Sequence, residues 1–115
     1  MGRITRSAMT KLRIGKVSDF PLGKLSVVDV TGKKILVVNL EGKLWAIDGI
    51  CTHMGGHLWE GKLIGNIVKC PRHGSEYDVR NGKVMKGPWV PFGKAHDLGS
   101  YLVTIEGEDV SLEVP

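Results

Sequence analysis

Three stretches in the first half of the chain, Leu25–Val30, Lys34–Leu40 and Lys43–Asp48, carry apolar and β-branched residues in strand-length runs. Partial alternation within them, at the two-residue period of a pleated strand, predicts three strands rather than a helix. Thr31-Gly32 and Glu41-Gly42 fall between the runs as tight-turn signals. Farther on, Asn81-Gly82 separates Tyr77-Asp78-Val79 from Val84-Met85, which predicts a type I′ hairpin. Gly107-Glu108-Asp109 sits in the same way between Tyr101–Glu106 and Val110–Val114. No segment keeps a 3.6-residue apolar period over three turns, so the expected fold is all-β, a small antiparallel sandwich or barrel without internal repeats. Sixteen glycines in 115 residues suit a chain of short strands and turns.

Two places break the strand rhythm. Cys51-Thr52-His53-Met54-Gly55-Gly56-His57 follows one strand, and Cys70-Pro71-Arg72-His73-Gly74-Ser75 follows the short apolar run Ile67-Val68. Both read as loops, and together they hold both cysteines and three of the four histidines. Cys51-x-His53 and Cys70-x-x-His73, with sixteen residues between them, supply two soft thiolates and two borderline imidazoles, a set suited to metal. A disulfide between Cys51 and Cys70 would leave both histidines unexplained. Zinc takes a Cys2His2 set, but its usual spacing pairs cysteine with cysteine and histidine with histidine. Here each loop mixes one of each, which suits a binuclear centre with both thiolates on one metal and both imidazoles on the other. A structural zinc module remains the alternative.

Cys-Thr-His-Met-Gly-Gly and Cys-Pro-Arg-His-Gly-Ser resemble the two cluster-binding boxes of Rieske [2Fe–2S] proteins, and the resemblance runs over roughly residues 12–114. It takes in Leu58 and Gly61 after the first box and Gly87-Pro88, which looks like the family's proline loop. It implies a Rieske fold, a β base with an inserted cluster-binding subdomain whose loops are about 50–58 and 69–78. It also implies one [2Fe–2S] cluster per chain, with Cys51 and Cys70 on the inner iron and His53 and His73 on the outer one, their edges facing solvent. Replacing two anionic thiolates by neutral imidazoles raises the potential to roughly −150 to +300 mV, against about −400 mV for all-cysteine ferredoxins. The potential is expected to fall with rising pH once a metal-bound imidazole titrates. Ser75 and Tyr77 match positions whose hydroxyls donate hydrogen bonds to cluster sulfurs in high-potential members, which stabilises the reduced state. The resemblance gives Met54 and Pro88 a shielding role.

Respiratory cytochrome bc-type members carry two further cysteines that link the loops, where this chain has Gly56 and Arg72. The chain therefore looks like a soluble Rieske-type ferredoxin, an electron-transfer protein and not an enzyme. Its expected partners are a reductase as donor and an oxygenase or oxidoreductase complex as acceptor. The alternative within the family is a small Rieske subunit of a larger oxidoreductase, nitrite-reductase-like. Its length is short for an oxygenase alpha subunit, which needs a second domain.

Charge changes this picture little. Of 16 lysines and arginines, five lie in the first 18 residues, where there is no acid, leaving 11 against 12 acidic residues. Residues 1–11 read as a basic tail, solvated and partly disordered, ahead of a domain at 12–115. Such an arm suits an acidic redox partner, and no nucleic-acid partner is expected. With no 18-residue apolar run and no signal-peptide pattern, no membrane span is expected and the expected location is cytoplasmic. His57 and His96 read as surface residues, and Trp45, Trp59 and Trp89 as core or loop packing. Asp48 and Asp78 form no evident acid–base pair, and no nucleophile or phosphate-loop motif is present.

Overall fold

A computed structural model describes residues 9–91 and 93–115. Ten strands run in chain order: β1 (Thr10–Lys16), β2 (Leu25–Val30), β3 (Lys33–Leu40), β4 (Lys43–Asp48), β5 (Lys62–Ile64), β6 (Ile67–Lys69), β7 (Glu76–Asp78), β8 (Val84–Lys86), β9 (Ser100–Glu106) and β10 (Asp109–Val114). Two single 3₁₀ turns, Val17–Asp19 and Leu58–Glu60, are the only helical pieces among the described residues. The all-β expectation is met.

The strands form two antiparallel sheets. Six build the base in the order β1-β10-β9-β4-β3-β2, and four build a second sheet in the order β5-β6-β7-β8. The smaller sheet lies between β4 and β9 in the chain, so it is an insertion into the base, as expected for the cluster-binding subdomain. The base sheet curls until its two edge strands face each other. A cleft of about 400 Å³, lined by Leu12–Ile14 of β1 and by Val28–Thr31 of β2 and its turn, separates them.

Strand β3 explains why its sequence is a continuous apolar run and not an alternating one. Ile35 and Val37 pack into the core of the curled base with Phe20, Leu44, Ala46, Val110 and Leu112. Leu36 and Val38 point the other way, into a second core shared with Leu58, Val68, Tyr77, Val79 and both cysteines. A strand covered on both faces has no solvent side to mark with polar residues. The second core is thus the wall against which the two loops are built.

The turns divide the sequence expectations. Thr31 and Gly32, and likewise Glu41 and Gly42, have positive φ (52° and 85°, 53° and 92°), the backbone of a two-residue type I′ hairpin turn. At Asn81-Gly82 the expected type I′ turn does not form. Only Gly82 has positive φ there, and its N–H reaches back to the Asp78 carbonyl at 2.7 Å. The loop is held instead by Asp78, whose carboxylate accepts from the Arg80 backbone N–H at 2.9 Å and from its guanidinium at 3.0 and 2.8 Å. The hairpin stands, but a side-chain cap decides its shape.

The stretch read as a basic tail also looks different. Strand β1 begins at Thr10 and pairs with β10 along its length. Lys11 faces Glu106 at 3.2 Å and Arg13 faces Asp109 at 2.8 Å, so two of the five cations in the first 18 residues have acidic neighbours within the sheet. Residues 1–8 of that stretch lie outside the described residues.

Candidate metal centre

The two loops share one backbone design. In the first, Cys51 N–H donates to the Gly56 carbonyl at 2.8 Å and Gly55 N–H donates back to the Cys51 carbonyl at 3.1 Å. In the second, Cys70 N–H donates to the Ser75 carbonyl at 2.8 Å and Gly74 N–H to the Cys70 carbonyl at 3.1 Å. Each cysteine therefore opens a closed turn that carries its histidine at the tip. Met54, with φ 65°, and Gly55 and Gly74, with φ 74° and 79°, supply the left-handed residues these turns need.

The loops bring the sequence-predicted residues together. Cys51 and Cys70 are both free thiols, both buried and within hydrogen-bonding contact of one another. The imidazoles of His53 and His73 meet edge to face with centroids 5.0 Å apart. Among the described residues, no three His, Cys, Asp or Glu side chains gather about one point as a single bound ion requires. The ligand types come instead as a thiol pair and an imidazole pair, a grouping suited to two metal atoms.

The surroundings are tuned for sulfur. Burial pushes the Cys70 thiol above its ordinary value, and the neighbouring Cys51 pushes in the same direction, so an uncompensated thiolate here is costly. The phenol of Tyr77, fully buried, lies 3.1 Å from Cys51 Sγ. Burial, with the adjacent Cys51, pushes Tyr77 up to about 12, so it keeps its proton through the physiological range. Ser75 is equally buried, and its Oγ has no hydrogen-bond partner within the protein. A buried hydroxyl without a partner costs free energy unless something fills the place beside it. These observations fit a sulfide-containing cluster on two thiolates and two imidazoles.

The expectation that both imidazole edges face solvent needs correction. His53 is only 3% exposed, while His73 is half-buried. Residues 93–99 cross back over the first loop and cover His53: a Cβ placed on Gly93 would come 2.6 Å from His53 Nε2. Just before this segment, Trp89 lies edge-on to His73, at 6.4 Å between centroids, with its backbone N–H donating to the His73 carbonyl at 2.9 Å. Trp89 is 64% exposed, contrary to its reading as ordinary packing. Met54 is exposed and Pro88 half-buried.

Several residues that position the site carried no motif. The Thr52 hydroxyl donates to the His96 carbonyl at 2.7 Å and accepts the His96 N–H at 2.7 Å, pinning the first loop to the crossing segment. It also lies 3.0 Å from the Tyr77 hydroxyl. Arg72 reaches across to the other loop and donates to the Met54 carbonyl at 3.0 Å. Positions 56 and 72 face each other, since a Cβ on Gly56 would lie 3.3 Å from that of Arg72. A Cβ there would also come 2.5 Å from Cys70 Sγ, which leaves glycine as the residue that fits. His57 is half exposed, stacks on Trp59 at 4.4 Å and faces Glu60 at 3.6 Å, away from any ligand set. Asp48 is engaged by Tyr101, Lys33 and the Gly99 N–H, and Asp78 by Arg80, so neither is poised for acid–base chemistry.

An all-β base with an inserted subdomain that presents two thiols and two imidazoles from matched loops defines a small iron–sulfur electron carrier. The profile of the Rieske [2Fe-2S] domain matches residues 10–101. The ferredoxin component of naphthalene 1,2-dioxygenase/salicylate 5-hydroxylase systems from Ralstonia sp. is 34% identical over 98 residues, 85% of this chain and 89% of that one. The cytochrome b6-f complex iron-sulfur subunit of Chlorobaculum tepidum is 35% identical over 107 residues, 92% of this chain but 55% of the other. Among solved structures, the ferredoxin of carbazole 1,9a-dioxygenase from Nocardioides aromaticivorans IC177 superposes with a TM-score of 0.80 at 26% identity, covering 92% of this chain and 98% of its own. The chain belongs to the Rieske [2Fe-2S] domain family. It is a ferredoxin-type electron-transfer protein, with a Rieske-type [2Fe–2S] cluster as its cofactor, and not an enzyme.

Proposed function

We propose that this chain carries single electrons from a reductase to an acceptor oxygenase or oxidoreductase complex, with Cys51, Cys70, His53 and His73 as the cluster ligands. The observation that carries the assignment of ligands is the meeting of a buried thiol pair and an imidazole pair on two loops of one backbone design. When bound, the cluster supplies a centre that takes up and returns one electron. The rest is the work of the chain. Cys51 and Cys70 hold the inner side against the second core, where water is excluded. Tyr77 and Ser75 offer hydroxyl protons to the sulfur side, favouring the more negative, reduced state. His73 presents the more accessible edge, and Gly93 keeps His53 covered.

The partner class follows from two of the relatives, the ferredoxins of a naphthalene 1,2-dioxygenase/salicylate 5-hydroxylase system and of carbazole 1,9a-dioxygenase. No helix among the described residues is long and apolar enough to cross a membrane. The cytoplasm is the proposed location, in keeping with the ferredoxin relatives.

The test is the purified protein itself. It is expected to be red-brown, with two iron and two labile sulfide per chain. Its reduced EPR spectrum should show the low mean g value of mixed Cys/His ligation, and it should pass electrons from a ferredoxin reductase to a Rieske oxygenase. A colourless zinc protein, or one with one iron or none, overturns the reading. The likeness to the cytochrome b6-f subunit favours a second reading, a Rieske subunit held in a larger complex. Co-purification with a stable partner would establish it.

A further inference from the structure

Beside the second loop, four adjacent strands carry a charged row on one face. Antiparallel register places Lys62 of β5 opposite Lys69 of β6, Lys69 opposite Glu76 of β7, and Glu76 opposite Lys86 of β8. Directly opposed residues of an antiparallel pair share a face, and like charges there destabilise the sheet. Glu76 offsets Lys69 and Lys86 but is not opposite Lys62. Lys62 and Lys69 also line an open recess of about 340 Å³ with Glu60, Cys70, Pro71 and Trp89. Lys69 Nζ lies 6.0 Å from the centre of the exposed Trp89 ring, which stands nearly at right angles to the His73 ring. The one carboxylate in the recess, Glu60, already faces His57. Lys62, Lys69 and Lys86 against Glu60 and Glu76 leave a net positive charge, with Lys62 opposite no carboxylate across the sheet, beside an apolar ring on the accessible side of the proposed ligands.

We propose that this recess is the electrostatic docking point for the redox partner, and that the partner presents a cluster of carboxylates to Lys62 and Lys69 while packing on Trp89. The inference rests on the electron-carrier reading above and adds the chemistry of the partner's surface. It places the steering charge on the inserted subdomain rather than on the N-terminal stretch, where Lys11 and Arg13 already face Glu106 and Asp109. Charge complementarity of this kind raises encounter rates by about 10- to 1,000-fold and is screened by salt.

The test uses the reduced holoprotein in stopped flow, with ferricyanide and hexaamminecobalt(III) as oppositely charged oxidants and poly-L-glutamate as an acidic-peptide probe. Ferricyanide oxidation is expected to slow about tenfold as salt is raised, with the opposite trend for the cobalt complex. Poly-L-glutamate should inhibit the ferricyanide reaction at low salt. The Lys62→Glu/Lys69→Glu variant should flatten or reverse the salt dependence and lose the inhibition, and Lys11→Glu/Arg13→Glu should change neither. Equal effects from both variants, or none from Lys62→Glu/Lys69→Glu, overturn the proposal. Inhibition by inorganic phosphate as strong as that by poly-L-glutamate would make the recess a small-anion site and overturn it too. The EPR spectrum of each variant is recorded first. A wild-type protein without the Rieske signal refutes the electron-carrier reading, whereas a normal signal with unchanged salt dependence refutes only the docking point.

Discussion

The hydroxyl of Tyr77 lies 3.1 Å from Sγ of Cys51, with both groups buried in the core that backs the two loops. The Thr52 hydroxyl spends its proton on the His96 carbonyl, and the Thr52 N–H points at the phenol oxygen from 3.3 Å. The phenol proton is then left for Sγ or for Thr52 Oγ1, and a thiolate is the stronger acceptor. A hydrogen bond to a charged group is worth about 1.5–3 kcal/mol. Its difference between oxidation states is a fraction of that, on the order of tens of millivolts for one electron. Tyr77→Phe is expected to lower the reduction potential by that amount, and Ser75→Ala to act in the same direction. Because Tyr77 is held up at about 12, its contribution should be constant below that pH. Voltammetry from pH 6 to 10 checks both points, and unchanged potentials would remove the two hydroxyls from any tuning role.

Gly93 separates contact from strain. Its φ of 77° and that of Gly107, 64°, both lie in the left-handed region, but only Gly93 has a neighbour in the way, His53 Nε2 at 2.6 Å. Alanine at either position carries the backbone penalty, about 1 kcal/mol. Gly107→Ala is therefore expected to lower the melting temperature with an unaltered EPR spectrum. Gly93→Ala is expected to shift the spectrum and reduce the iron content as His53 is displaced. Identical spectra for the two variants would show that the covering segment does not hold His53 in place.

Most of the fold and the chemistry could be read in the sequence, for identifiable reasons. Strands β2, β3 and β4 are long enough for their composition to speak, and the Thr31-Gly32 and Glu41-Gly42 turns match the hairpin twist. The ligand types stand out because cysteine and histidine are scarce and paired. The start of strand β1 was hidden because Lys11 closes a stretch that looks like a charged tail, and the acidic neighbours of Lys11 and Arg13 lie nearly a hundred residues away. Strands β5 to β8 have three residues each, too few for a period, and of these β7 and β8 are marked only by the Asn81-Gly82 turn between them. Thr52, Trp89 and Gly93 act through the segment that returns over the loops, a long-range contact without local signature. For the same reason the solvent access of the two histidines was not readable. Their spacing in the chain is similar, but only one lies beneath Gly93.

Asp78 should set part of the acid stability of the smaller sheet. The Arg80 guanidinium beside it holds its carboxyl down at about 2, against burial that pushes the other way. A depressed folded-state value means that the stabilisation is complete above the ordinary carboxylate range and is lost as pH falls toward 2. Asp78→Asn is expected to cost about 1–3 kcal/mol near neutral pH, since the Arg80 donors around a buried group lose their charged acceptor. The gap between variant and wild type should close between pH 4 and 2. Urea titrations across that window, with an NMR titration of the carboxyl, check it. A gap independent of pH would mean that the charge of Asp78 is not what holds the turn.

Arg72 takes the place at which respiratory relatives are expected to link the loops covalently, and its geometry says why a bridge would not simply fit. The hydrogen bond from its guanidinium to the Met54 carbonyl, 3.0 Å long, joins the loops through side chain and backbone alone. Arg72→Met keeps the aliphatic stem and removes that bond. It is expected to leave the EPR spectrum in place while speeding chelator-driven loss of visible absorbance several-fold, since exposed loop closure of this kind is worth about 1 kcal/mol. In Gly56→Cys/Arg72→Cys the two Cβ positions are 3.3 Å apart, just short of the roughly 3.5–4.5 Å of a relaxed disulfide. The new Cβ at position 56 also presses on Cys70 Sγ from 2.5 Å. The double variant is therefore expected to form the disulfide, slow the loss of iron relative to Arg72→Met, and shift the EPR spectrum because Cys70 must move. A bridged protein with the wild-type spectrum would show that the Cys70 side has room to spare, and that glycine at position 56 is not required by the packing around the thiol pair.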